Sequence, residues 1–159
     1  MPGSADPGTV ELREITAANR AAVVALHVAP RQEQFVASVG RSIDEAARTP
    51  EANPWYRAIY AGGEPVGFVM LSWAVTPTDD ILGPWFLWRL LIDERHQRRG
   101  IGRATLGLVM DLIRAEGATE LLTSYHTGEG EPWPFYQKLG FRPTGALDHD
   151  EVVLSLDLG

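Results

Sequence analysis

The stretch WFLWRLLIDERHQRRGIGRATLGLVMDLI, residues 85–113, runs through three patterns in succession. WFLWRLLI (85–92) is a nearly continuous apolar run, which predicts a strand buried on both faces. From Ile101 the spacing changes. Ile101, Thr105, Leu108 and Leu112 fall along one helical face with Leu106, Val109 and Ile113 beside it, and Gly117 ends the helix. Between strand and helix, QRRGIGR (97–103) sets Gly100 and Gly102 among Arg98, Arg99 and Arg103. A helix N-terminus presents unpaired amides and the positive end of the backbone dipole, so it is an anion site. The glycines lack the Cβ atoms that would hold a phosphate away from those amides, and the arginines add charge. A bare G-x-G is a weak signal, compatible with a solvated basic turn in which glycine only permits the bend. The Walker lysine with its following Ser or Thr is absent, and Thr105 stands where the dinucleotide pattern needs a third glycine.

On either side of this stretch the pattern alternates between strands and helices. VELREI (10–15) reads as a first strand, and Thr16 as the N-cap of a helix that ends before Pro30. A second helical stretch follows, in which Ser42-Ile43-Asp44-Glu45 has capping-box spacing. WYRAIYA (55–61) and EPVGFVMLSWAV (64–75) flank Gly62-Gly63 and predict a β-hairpin. TPTDDILGP (76–84) is turn-rich. ELLTSYH (120–126) predicts a strand, and the final EVVLSLDL sets Val152, Leu154, Leu156 and Leu158 against Val153, Ser155 and Asp157, a strand with two distinct faces.

Composition bounds the function. With 159 residues, 22% charged and 45% apolar, the chain suits one domain at 9–159 behind a loose Gly/Pro/Ser tail at 1–8. The absence of cysteine excludes disulfides, cysteine nucleophiles and thiolate metal sites. No histidine pair has helical metal-ligand spacing, so no metal is expected. The N-terminus lacks the pattern of a secretory signal, and no run of about 18 apolar residues occurs, so the expected location is cytoplasmic with no membrane partner. Fourteen Lys plus Arg against 21 Asp plus Glu give a net charge of -7, which disfavours nucleic acid and permits a small cationic partner. A homodimer is compatible with these numbers.

Gln97-Arg98-Arg99-Gly100-Ile101-Gly102 matches Q/R-x-x-G-x-G/A between a strand and a helix, and PFYQKLGFRPTG (134–145) places a tyrosine, a short helix and an LGF turn before a late strand. Together the two segments closely resemble the GNAT superfamily of N-acetyltransferases, and the order of elements agrees along nearly the whole chain. The resemblance implies an α/β (α+β) fold with a mixed, mostly antiparallel sheet, splayed between the strands at 85–92 and 120–126 and flanked by helices. It implies acetyl-CoA as co-substrate, with the pantetheine arm against the backbone of Leu90, Leu91 and Ile92. The pyrophosphate would then lie on Gln97, Arg98, Arg99, Gly100, Ile101, Gly102 and Arg103. The family often has an asparagine seven residues before the tyrosine and an alanine four before it; here those positions are Glu129 and Pro132.

Acetyl transfer from a thioester to an amine needs a neutral nucleophile and a proton for the departing thiolate. In this frame Tyr136 is the general acid, while Glu129, Glu131, Asp79 and Asp80 are loop carboxylates able to take the ammonium proton through water, with His126 beside them. Trp85, Trp88 and Trp133 are candidate aromatics for a cationic acceptor. Arg89, inside the apolar run, calls for a partner acid. Residues 53–71, 86–104 and 135–141, with QEQFVAS (32–38), look most like the bacterial spermine, spermidine and diamine acetyltransferase branch. That similarity implies a small-molecule amine acceptor of polyamine type, contacted by Glu33, Glu129 and Glu131. An antibiotic or amino-acid N-acetyltransferase and a non-catalytic acyl-CoA-binding module are the alternatives.

Overall fold

The computed structural model describes residues 9–159, so the tail expected at 1–8 lies outside the described residues. In chain order the elements are strand β1 (Val10–Arg13), helices α1 (Arg20–Val24) and α2 (Val39–Arg48), strands β2 (Pro54–Ala61), β3 (Glu64–Ser72) and β4 (Phe86–Ile92), helix α3 (Ile101–Ala115), strand β5 (Glu120–Tyr125), helix α4 (Trp133–Leu139), and strands β6 (Arg142–Asp148) and β7 (Glu151–Asp157). The strands form one sheet in the order β1-β2-β3-β4-β5-β7-β6. Every neighbouring pair is antiparallel except β4 with β5. The Gly62-Gly63 hairpin forms as expected: Ala61 pairs Glu64, and both glycines take the positive φ, 60° and 82°, that a tight two-residue turn requires.

Apolar side chains cover both faces of the sheet. On one, Leu106, Val109 and Ile113 of α3 and Tyr136 of α4 pack with Val69, Leu71, Leu121 and Leu154. On the other, Val23 of α1 and Val39, Ile43 and Ala46 of α2 pack with Ala58, Phe68, Met70 and Leu91. Each fully buried Leu, Ile, Val or Phe contributes about 1.5–3 kcal/mol, so these two layers hold the sheet between its helices.

Four local expectations are corrected. Thr16 does not cap α1; its hydroxyl accepts from the Ala18 amide (3.2 Å) and its own amide donates to Asn19 Oδ1 (2.8 Å), a local turn that postpones the helix to Arg20. Ser42 opens no capping box. It is buried inside α2, where its hydroxyl donates to Ser38 O (2.8 Å), and Ser38 is the cap that accepts from Arg41 N (3.2 Å). On α3 the buried stripe is Ile101, Thr105, Leu106, Val109 and Ile113, rotated from the expected one, and Leu108 and Leu112 are exposed. The fourth concerns β4, where only Leu87 and Leu91 are fully buried.

The reason lies in how β4 leaves its neighbour. β4 and β5 share two rungs, Phe86 with Leu122 and Leu87 with Thr123, and then diverge. At the last rung Thr123 Oγ1 donates to Leu87 O (3.0 Å). Just beyond, Leu87 faces Leu71 and Arg89 faces Met70, which leaves Trp88 as the extra residue of a β-bulge. Leu87 therefore packs on the α3 face, while Trp88 packs on the α2 face and Arg89 reaches α2 itself; Leu90 returns to the α3 face. The bulge and the divergence together open a slot through the sheet, and the residues that line it cannot be covered on both sides.

Candidate active site

The donor end of the slot is built around the turn from β4 into α3. Gly100 caps α3 with φ 79°, no side chain caps the helix, and a Cβ at Gly100 would meet nothing within 4 Å. The amides of the first turn thus face open space without a partner from the helix ladder. A Cβ at Gly102 would lie 3.3 Å from the Phe135 ring, so glycine there lets α4 close on α3. Arg98, with φ 64°, turns the chain into the loop. Gln97 anchors it, donating to Ile92 O and Gln32 Oε1, both at 2.9 Å. A hollow lined by Ala29, Arg31, Glu94, Arg95, Gln97 and Arg98 adjoins the loop and carries a surplus of positive charge. Bare amides, a glycine with open space and adjacent guanidinium groups fit the pyrophosphate of a CoA thioester.

Asp93 secures this end. It is 1% exposed, and its carboxylate accepts from His27 N (3.1 Å), Arg95 N (3.3 Å) and Arg95 Nε (2.9 Å), with His96 Nδ1 at 3.3 Å. Burial raises such a carboxyl, but the hydrogen bonds from His27 and Arg95 outweigh it and hold Asp93 below its ordinary value.

Tyr136 lies under the slot on the α3 face, packed between the Phe135 and Phe141 rings at 5.3 Å each. Burial pushes its hydroxyl up to about 12; the Thr123 side chain beside it works in the other direction, and the charge of Glu151 adds to the rise. This phenol and the last shared rung of β4 and β5 are therefore joined through one threonine.

Of the acceptor candidates, Trp88 packs on the α2 face and the loop at 128–131 lies against Phe35. The Phe35 ring comes within 3.5 Å of a Cβ built at Gly128 and 3.8 Å of one at Gly130, so the QEQFVAS stretch and the GEGE loop share one rim. Glu33 and Glu129 are exposed on it. Glu131 accepts from Gly128 N (2.8 Å), and its charge, after burial, raises the Tyr125 hydroxyl. Trp88 is partly exposed on the α2 face. Trp85 is placed elsewhere: it is 7% exposed and packs edge-on against Trp73 (4.9 Å), and its carbonyl accepts from Leu122 N (2.9 Å) at the closed end of the slot. Trp133 stacks on Tyr125 at 6.2 Å. Arg89 has its partner acid in Glu45 (2.5 Å).

Sequence reading passes over Glu151. The first residue of β7 accepts from Ser124 Oγ (2.9 Å) and stands 3.3 Å from His126 Nε2. In the sequence it is only the start of a strand. Its one signal is its phase, opposite to that of Val152, Leu154 and Leu156, which pack on the α3 face.

Residues 20–141 match the acetyltransferase (GNAT) family. The chain belongs to this family. It is an acetyltransferase, with acetyl-CoA as the co-substrate. Among curated relatives, this acetyltransferase is 28% identical over 153 residues to the spermine/spermidine N(1)-acetyltransferase of Bacillus subtilis strain 168, covering 94% of its own length and 99% of the relative. The probable spermine N(1)-acetyltransferase of Bacillus subtilis subsp. natto is 27% identical over the same coverage. In fold it is similar to the PaiA N-acetyltransferase of Thermoplasma acidophilum, crystallised with coenzyme A, at a TM-score of 0.67 and 14% identity over 94% of this chain and 99% of that one. No helix among the described residues is long and apolar enough to cross a membrane.

Proposed function

We propose that this acetyltransferase acts on a primary amine of a small flexible polycation, a polyamine or diamine, by direct attack of the amine on the thioester, with Tyr136 protonating the leaving sulfur. The observation that carries the acceptor class is the near full-length similarity to spermine and spermidine acetyltransferases. It is supported by the approach of Gly128 and Gly130 to Phe35, which brings the segment carrying Glu129 and Glu131 next to the one carrying Glu33.

The roles follow from placement. The first-turn amides of α3, with Arg98, Arg99 and Arg103, hold the pyrophosphate, and Gln97 keeps the loop in register. Past the last rung with β5, the β4 edge at Leu90 and Leu91 meets the amides of the pantetheine arm, with Ile92, whose carbonyl Gln97 holds, closing that edge. That route leads the thioester along the slot toward Tyr136. A phenol pushed up to about 12 keeps its proton throughout the physiological range. It is a weaker acid than an ordinary thiol, so it acts first as a hydrogen-bond donor to sulfur as the C–S bond lengthens, and gives up the proton only as the amine's proton is released to replace it. Glu33, Glu129 and Glu131 hold the remote ammonium groups of the acceptor, and Trp88 offers a ring face to it.

A thiol-release screen with acetyl-CoA and spermine, spermidine, short diamines, aminoglycosides, amino acids and lysine peptides tests the acceptor. The expected order puts the polyamines first. A clear preference for neutral or anionic acceptors discards the polyamine reading.

A further inference from the structure

The side chains around the slot sort into two faces. On β5, Leu121, Thr123 and Tyr125 point to the α3 face, where Tyr136 lies, so Ser124 points to the α2 face. On β7, Val152, Leu154 and Leu156 belong to the α3 face, so Glu151 and Val153 point the other way. The bulge in β4 sends Arg89 to that same face, where α2 supplies Glu45. Glu151 and Tyr136 therefore stand on opposite sides of the sheet, at the level where β4 and β5 separate, just after Thr123. Its charge acts on both Tyr136 and Arg89, one through the slot and the other across it.

We infer that Glu151 is the general base of this acetyltransferase, taking a proton from the acceptor ammonium on the α2 face while Tyr136 serves the sulfur on the α3 face. The inference rests on the acetyl-transfer reading above and assigns a residue to its unfilled role. Attack and departure at a thioester carbonyl lie on different sides of the carbon, so an acid and a base separated by the sheet and joined by a slot suit one reacting centre between them. Glu151 moves one proton from R–NH3+ to its carboxylate. The freed lone pair forms the C–N bond, the C–S bond breaks, the thiolate takes its proton from Tyr136, and the second N–H proton of the new amide restores the phenol. The proton on Glu151 leaves by His126, 3.3 Å away, 43% exposed and facing Asp150 at 3.7 Å, giving N-acetyl amine, free thiol and one proton to solvent.

Glu151 is better held than the loop acids. Ser124 Oγ fixes one carboxylate oxygen at 2.9 Å and His126 approaches the other, and the side chain keeps 32% of its surface open to an incoming amine. Glu131 instead has a carboxylate oxygen tied to Gly128 N, and Glu129 points from an exposed turn. The charged and titratable groups facing Glu151 are His126 from the end of β5, Asp150 beside it, Arg89 from β4 and, through the slot, Tyr136.

The test compares the parent protein with Glu151→Gln, using the panel amine that the parent acetylates fastest. The amide keeps the Ser124 hydrogen bond but cannot take a proton. Expected is a fall of ~10²-fold or more in kcat at pH 7, acetyl-CoA affinity within about twofold of the parent, and a deficit that narrows as pH approaches ~10, where a primary amine deprotonates itself. Should Glu151→Gln melt far below the parent, Glu151→Asp replaces it; a carboxylate drawn back by one methylene is expected to lower kcat with acetyl-CoA binding intact. An unchanged kcat with raised acceptor KM makes Glu151 a binding group and overturns the inference, as does a pH-rescued loss in Glu129→Gln or Glu131→Gln but not in Glu151→Gln. No turnover by the parent on any amine removes the acetyl-transfer reading itself, whereas parent turnover with an unaffected Glu151→Gln removes this inference alone.

Discussion

At the donor end of the slot a single buried carboxylate, Asp93, gathers the His27 and Arg95 amides and the Arg95 side chain, and Gln97 bolts the next loop to β4. At the acceptor rim, residues 128–131 lean on the Phe35 ring and keep their shape through two bonds of their own, from Gly128 N to the Glu131 carboxylate and from Glu131 N to Gly128 O. The first end is made of backbone groups held in place from within the fold, and suits a ligand portion that never varies. The second is made of exposed side chains from separate segments, and suits a ligand that differs from one relative to another. Rigidity and charge are thus divided between the two ends, and each predicts a different response to perturbation.

The largest effect is expected where the two ends meet. Tyr136→Phe should lower turnover by ~10²-fold or more while acetyl-CoA binding stays as in the parent. Single-turnover acetyl transfer is the measurement, because slow product release would mask some of the loss in steady state. Since the hydroxyl is pushed up to about 12, the parent should show no tyrosine-dependent alkaline limb in its pH–rate profile below about pH 11. An unchanged chemical rate would return Tyr136 to a packing role.

Next comes the donor end. Acetyl-CoA at about 100 times its dissociation constant should stabilise the parent by ~2.7 kcal/mol, a melting shift of roughly 5–11 °C. Gly100→Val should lose most of that shift, because a branched side chain at φ 79° is strained and fills the phosphate's approach. Thermal melts with and without acetyl-CoA read this directly, and an undiminished shift would move the pyrophosphate away from Gly100.

Asp93→Asn probes the internal support of the same end. Loss of charge-assisted bonds to the His27 and Arg95 groups should cost about 2 kcal/mol at pH 7, roughly 4–8 °C in melting temperature. The folded-state carboxyl is held below its unfolded value, so its contribution is present above about pH 4 and is lost as pH falls through the folded value. The gap between parent and variant should therefore close in acid, as melting curves from about pH 7 to pH 2 would show. A constant gap would mean that Asp93 acts by shape and not by charge.

The smallest effect belongs to the rim. Raising ionic strength from about 0.05 to 0.3 M should raise the acceptor KM a few-fold by screening Glu33, Glu129 and Glu131, and Glu129→Gln should blunt that dependence. If the acceptor KM is flat with salt, the rim does not hold a cation by charge.

Reading from sequence reaches the donor end more fully than the acceptor end for the same physical reason. Gly100, Ile101 and Gly102 lie in one continuous segment between a strand and a helix, and their geometry is a property of backbone. The FYQKLGF segment is likewise local. Trp85 and Glu151 show where such reading stops. Trp85 is legible as an aromatic beside the slot, but whether it turns toward the slot or toward Trp73 depends on contacts between distant strands. Glu151 meets Ser124 and His126 only because β7 lies beside β5 in the sheet, a pairing that no local spacing records. The rotation of the α3 stripe and the displaced cap of α2 belong to the same class, since each depends on which neighbour a helix packs against.

The divergence of β4 from β5 has a further consequence. A strand in the middle of a sheet has been given a free margin. Such a margin ordinarily invites another chain to add itself, and proteins blunt it with charge, bulges or cover. Here the margin is short and bulged at Trp88, and three carbonyl groups along β4 are already occupied by side chains: Leu87 O by Thr123, Trp88 O by Arg89 and Ile92 O by Gln97. What remains between them is a gap suited to a slender amide-bearing arm and ill suited to a polypeptide. On the proposed route the co-substrate would take the place of the missing strand, completing the sheet when it binds and reopening it when it leaves.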